Sequence, residues 1–110
     1  MSQATELHRA MMQILDDSAC LSVQELAHAT QMQPEWVLER LSAGLLQGEL
    51  QGGQWRCLGT TVVRARRLAQ LETTFDADPQ LAALTADLME EVAQLRRQLQ
   101  QLQRHLSEAL

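Results

Sequence analysis

Two cysteines, three histidines and fourteen acids are the residues able to do chemistry in this 110-residue chain, and none falls in a catalytic pattern. Cys57 follows Arg56, and a basic neighbour lowers a thiol pKa, but no histidine is spaced to act as its base. Asp76/Asp78 and Glu90-Glu91 are paired carboxylates with no surrounding motif. There is no Gly-rich phosphate loop, no G-x-S-x-G and no H-E-x-x-H. His8, His28 and His105 do not combine with Cys20 and Cys57 at metal-ligand spacing. The sequence therefore predicts a non-enzymatic protein with no catalytic residue, no metal and no cofactor. What remains is recognition chemistry, and its densest source is Glu35-Trp36 with Glu39, a tryptophan between two carboxylates.

These residues need an element to hold them. Ser22 with Glu25 forms an S-x-x-E capping box at the start of a short helix with Val23, Leu26, Ala27 and Ala29 on its apolar face. Pro34 suits the first turn of a second helix, Val37, Leu38, Leu41 and Leu45 recur at helical spacing, and Gly44 ends it. Two short helices joined by about four residues form a helix-turn-helix; an ordinary helical hairpin is the alternative. If the second helix buries Val37, Leu41 and Leu45, then Glu35, Trp36, Glu39 and Ala43 face outward, on the side that a DNA reader lays in the groove. Packing of Trp36 on a neighbouring helix is equally open. A hairpin wing follows, Leu46–Leu50 against Gln54–Leu58 around Gly52-Gly53, with Trp55 plugging the core. Residues 6–18 fit either an amphipathic helix or, over Ala10–Leu15, a strand at the wing's edge.

A third helix is expected from Thr61 to about Thr73, with Val62, Val63, Ala65, Leu68 and Leu71 inward, broken by Thr73–Asp78. Pro79 starts the last helix, which runs to Leu106. Its apolar positions are Leu81, Leu84, Leu88, Val92, Leu95, Leu99, Leu102 and Leu106. From Val92 onward they alternate by three and four, the heptad seam of a coiled coil, after one four-residue stutter. With Val92 at a and Leu95 at d, Glu91 falls at g and Arg96 at e, a pair that a parallel partner helix would join. Residues 79–92 are expected to lay their leucines on the chain's own domain. Val92, Leu95, Leu99, Leu102 and Leu106 extend beyond it and predict a homodimer. The organisation expected is a winged helix-turn-helix domain over 1–75 and a C-terminal dimerisation helix over 76–110, a mostly α fold with a small β wing.

Charge argues against the usual use of such a scaffold. The net charge is −5 at pH 7, and all nine basic residues are arginine. The second helix carries Glu35 and Glu39 against one base, Arg40. A nucleic-acid binder shows a basic stripe that releases counterions from phosphate. Arg64, Arg66 and Arg67 are the one basic cluster here, and arginines on a helix are more often solvated or paired, here with Glu72. DNA is therefore an improbable partner. No 18-residue apolar run exists for a membrane span, and the first residues lack a signal-peptide pattern. With two cysteines this reads as a cytoplasmic chain with reduced thiols.

Three segments together resemble a known family: Met12–Gln47, the tryptophan after a glycine turn followed by VVRARRL (Val62–Leu68), and DLMEEVAQLRRQL (Asp87–Leu99). In this order and spacing they are similar to the CbpM-type chaperone modulators, relatives of the MerR-type winged helix-turn-helix. The resemblance implies a MerR-like fold with a long C-terminal coiled-coil helix. It also implies a partner: the J-domain of a DnaJ-like co-chaperone of the CbpA type, inhibited in its work with Hsp70. Glu35, Trp36 and Glu39, with Asp76 and Asp78 on the rim, are the residues expected to meet it. Gln47–Gln51 and Phe75–Gln80 depart from the family's usual turns, on surface loops able to touch that partner. The alternative reading of the same scaffold is a MerR-like dimeric DNA-binding transcriptional regulator.

Overall fold

The computed structural model describes residues 20–110. The choice between helix and strand for residues 6–18 lies outside the described residues. Strand β1 (Cys20–Leu21) leads into α1 (Val23–Thr30), and Ser22 between them caps the helix. Its Oγ accepts from the Glu25 N–H at 3.2 Å, while the Glu25 carboxylate accepts from the Ser22 N–H at 3.0 Å. Both halves of the predicted capping box are thus made. Gln31, at φ 59°, turns the chain out of α1. Helix α2 (Pro34–Ser42) opens on Pro34 and is stopped by Gly44 at φ 77°, a left-handed position suited to glycine. The pair α1–α2 is the expected helix-turn-helix.

The wing follows as β2 (Glu49–Gln51) and β3 (Gln54–Leu58), joined by Gly52-Gly53, both at positive φ as a primed two-residue turn demands. Strand β1 pairs antiparallel with the other edge of β3, giving the order β1-β3-β2. The first wing strand is shorter than Leu46–Leu50: Leu46 is 3% exposed and belongs to the core, so pairing begins only at Glu49. Leu21 and Cys57 share the inner face of the sheet, whereas Cys20 and Leu58 share the outer face. Trp55 is half-buried against the core, as expected.

Helix α3 (Thr60–Phe75) runs two residues beyond the expected end, because the Thr73 hydroxyl donates to the Ala69 carbonyl at 2.8 Å and sits satisfied within the helix. Asp76, at φ 50°, ends it. Helix α4 (Pro79–Ala109) is capped by Asp78, whose carboxylate accepts from the Gln80 and Leu81 N–H groups. At 31 residues it is roughly 46 Å long. None of the described helices is long and apolar enough to cross a membrane.

The core is built from Leu21, Leu26, Val37, Cys57, Val62 and Leu68, all fully buried. One expectation is corrected here. Leu81, Leu84 and Leu88 do not face the domain; each is more than half exposed. Ala82, Ala83 and Ala86 take the inward positions and meet a face of α3 that includes buried Ala65 and Ala69. Small side chains on both helices let the backbones approach closely, which leucines would prevent. Val63 is likewise exposed rather than inward. The apolar stripe of α4 therefore lies in solvent along its whole length, from Leu81 to Leu106.

Gly48 sits where the loop after α2 crosses β3. A Cβ there would lie 3.0 Å from both Cys57 Sγ and Leu41 Cδ2, and 3.3 Å from the Arg56 carbonyl oxygen. Gly48→Ala is expected to destabilise the protein by about 1–3 kcal/mol through overpacking. Urea titration followed by far-UV circular dichroism measures this, and an unchanged midpoint contradicts the packing described.

Candidate protein-interaction face

Helix α2 buries Trp36, Val37, Arg40 and Leu41 and exposes Glu35, Leu38, Glu39 and Ser42. Val37 and Leu41 are buried as expected; the helix ends at Ser42, so Leu45 is not on it, and the buried side widens to take in Trp36 and Arg40. Trp36 turns inward and is only 9% exposed. This corrects its expected place as an outward-facing anchor. Its indole N–H donates to Glu72 Oε1 of α3 at 2.9 Å. Arg40 lies over the indole ring, 4.7 Å from the ring centroid. The same guanidinium grips Glu72 with two nitrogens, Nε to Oε2 at 3.1 Å and Nη2 to Oε1, and donates from Nη1 to Glu39 at 3.0 Å. The Arg40 and Glu72 side chains are 9% and 11% exposed. Glu72, expected beside the arginines of its own helix, is instead the acceptor that holds α2 to α3. The signal in the sequence was the lone base of α2 and the lone acid between Val62 and Glu72.

The remaining predicted residues divide by role. Glu35 and Glu39 are exposed as expected. Asp76 is exposed at the end of α3. The Asp78 carboxylate is engaged in capping α4. The five predicted coiled-coil positions, Val92, Leu95, Leu99, Leu102 and Leu106, are all exposed on α4. Sequence reasoning missed two apolar side chains near the acids: Leu38 on the outer flank of α2, and Phe75, 71% exposed, at the last position of α3. Phe75 was legible only as part of a loop; its position on the helix depends on where α3 ends.

Two arginines of the α3 cluster, Arg64 and Arg66, are engaged within the protein. Arg64 Nε donates to the Leu45 carbonyl at 2.8 Å, and its Nη1 to Asp87 at 2.7 Å and Glu90 at 3.0 Å. Partial burial lowers its pKa, but hydrogen bonds and attraction from Glu90 and Asp87 outweigh this and leave it raised. Arg66 Nε donates to the Ala29 carbonyl at 3.0 Å, tying α3 to α1. Burial, with a smaller contribution from Cys20, pushes the Cys57 thiol up, the opposite of an activated nucleophile. Both cysteines are free thiols.

Removing one partner of a buried ion pair leaves the other charge uncompensated. Glu72→Ala is expected to cost about 3–5 kcal/mol. An Arg40→Met/Glu72→Leu double variant should recover part of that loss, because no charge is left stranded. Denaturant unfolding of the three proteins tests this, and a Glu72→Ala variant of parental stability contradicts the role given to the pair.

The winged helix-turn-helix agrees with what is found among known proteins. A family model described as MerR HTH family regulatory protein matches residues 21–104. No curated protein matches the chain. The match runs from β1 through both helices of the helix-turn-helix, the wing and α3, and far along α4. The protein belongs to the MerR HTH family of regulatory proteins.

Proposed function

We propose that this regulator is a chaperone modulator of the CbpM type, which binds the J-domain of a DnaJ-like co-chaperone and denies that domain to Hsp70 in the cytoplasm. One observation carries the reading. The outer flank of α2, which a DNA reader inserts in the major groove, presents Glu35 and Glu39, while Arg40, Arg64 and Arg66 donate to the protein's own carboxylates and carbonyls. Bases bound inward release no counterions from phosphate. An acidic face instead complements a basic helix, and such complementarity acts mainly on encounter rate and partner choice. The resemblance of Met12–Gln47, Val62–Leu68 and Asp87–Leu99 to the CbpM-type modulators names the partner.

The functional form of the protein is a homodimer. Eight apolar side chains line one face of α4 and none is covered by the domain it belongs to. Their heptad spacing is the pattern that a second copy of the same helix covers. Glu91 and Arg96 flank the seam.

A second reading, a dimeric DNA-binding transcriptional regulator, is favoured by the family and by Arg56 and Arg67. Neither side chain makes a hydrogen bond or ion pair among the described residues.

Two measurements separate these readings. Titration calorimetry with a purified J-domain is expected to give saturable binding, and Glu35→Arg should slow association and flatten its salt dependence. Gel shift at low salt with random and genomic duplexes should give no sequence-dependent complex; nanomolar, sequence-dependent shifts would favour the DNA reading. For the dimer, sedimentation equilibrium of the chain truncated after Gln94 should return a folded monomer where the full chain is dimeric. A full chain already monomeric at high micromolar concentration contradicts the assembly.

A further inference from the structure

With Trp36 buried, the acidic face needs another apolar anchor, since carboxylates alone steer a partner without holding it. We infer that Phe75 is that anchor, and that it receives a basic amphipathic helix of a protein partner between Glu39 and Asp76. The inference rests on the reading of this face as a protein-binding one and names the residue that gives it affinity.

The juxtaposition follows from contacts already described. One guanidinium, that of Arg40, bonds the carboxylates of both Glu39 and Glu72, so the exposed acid of α2 lies a guanidinium's width from Glu72 of α3. Phe75 follows Glu72 at i+3, the spacing at which side chains share one helix flank with Cβ atoms about 5–6 Å apart, and Asp76 is the next residue, at the helix C-cap. Phe75 therefore stands beside the Glu39–Arg40–Glu72 bridge, with Asp76 adjacent. It is the most exposed aromatic among the described residues: Trp36 is core and Trp55 is half-buried. The buried bridge ties α2 to α3 one turn before the ring, so a partner meets the two helices already held together.

Charge selects the occupant. Glu39 and Asp76 are exposed on either side, Glu35 is exposed one turn before Glu39 on α2, and the one base among them, Arg40, is buried. Phosphate is repelled from such a surface. A protein helix with an apolar depression between bases one turn apart satisfies both the ring and the acids. A second copy of this chain is a poorer fit, because Phe75 belongs to α3 whereas the leucine stripe runs along α4.

The test uses the full-length chain and two probes: a purified J-domain and a synthetic amphipathic Lys/Leu helix. Phe75→Ala should weaken binding roughly thirtyfold or more, the loss expected of a hot-spot side chain. Phe75→Leu should recover part of it. Leu50→Ala, which removes an exposed side chain on the wing, should change little. Circular dichroism melts and sedimentation of Phe75→Ala should match the parent, because the side chain is largely in solvent. Parental affinity in Phe75→Ala overturns the inference, and so does a dimer that dissociates when Phe75 is removed. If the parent binds the Lys/Leu helix through Phe75 but not the J-domain, the inference stands and the J-domain reading falls. If the parent binds neither probe, both fall.

Discussion

The Glu72 carboxylate is the contact on which the rest of the structure depends. It receives the Trp36 indole N–H and two nitrogens of Arg40, and these three donors come from the helix that a DNA reader would leave free to face its target. The arrangement is self-consistent: burying the tryptophan requires an acceptor for its N–H, the acceptor is a carboxylate, and a buried carboxylate requires a counter-charge. Arg40 supplies that charge and stacks on the same indole. The outcome is a helix-turn-helix locked to the end of α3 and stripped of its own base. The residues left outward on α2 are two glutamates, a leucine and a serine.

A second constraint is the size of the side chains between α3 and α4. Alanines at 82, 83 and 86 pack on α3 and draw the two helices together. Alanine buries little area, so the docking of α4 relies on close backbone approach and on the Arg64 bridge to Asp87 and Glu90. Because the inward side is reserved for alanine, every leucine of the helix is turned outward, including the three nearest the domain. The helix has two apolar faces of different grain, a fine one packed on its own core and a coarse one left exposed.

Local rules were readable in the chain. The capping box at Ser22/Glu25, the proline opening of α2, the Gly44 stop, the Gly52-Gly53 turn and the long heptad helix all follow from short-range chemistry, and all are present. What the sequence did not yield were the decisions made between elements. Trp36 and Arg40 are four residues apart and mark one flank of α2, but only Glu72, 36 residues beyond Trp36, determines that this flank is buried. The leucines of α4 outweigh its alanines on any hydropathy scale, so periodicity assigns them to the core; steric fit against α3 reverses the assignment. Phe75 reads as loop until the Thr73 hydroxyl is seen to keep α3 going. The candidate face was found by the type of its residues, and its geometry was set by partners distant in sequence.

Three long-range ties among the described residues are made by guanidinium groups: Arg40 to Glu72, Arg64 to the Leu45 carbonyl and to α4, and Arg66 to the Ala29 carbonyl. A guanidinium does not lose its proton under any condition a folded protein meets. Lysine in these places would titrate near pH 10.4. For Arg64 the folded-state pKa lies above the ordinary arginine value, so its contribution is complete below that value and is lost only at still higher pH. The Arg64 tie to α4 thus persists far into alkali. A chain that has put its arginines to this use has converted the charges of a nucleic-acid reader into permanent fasteners.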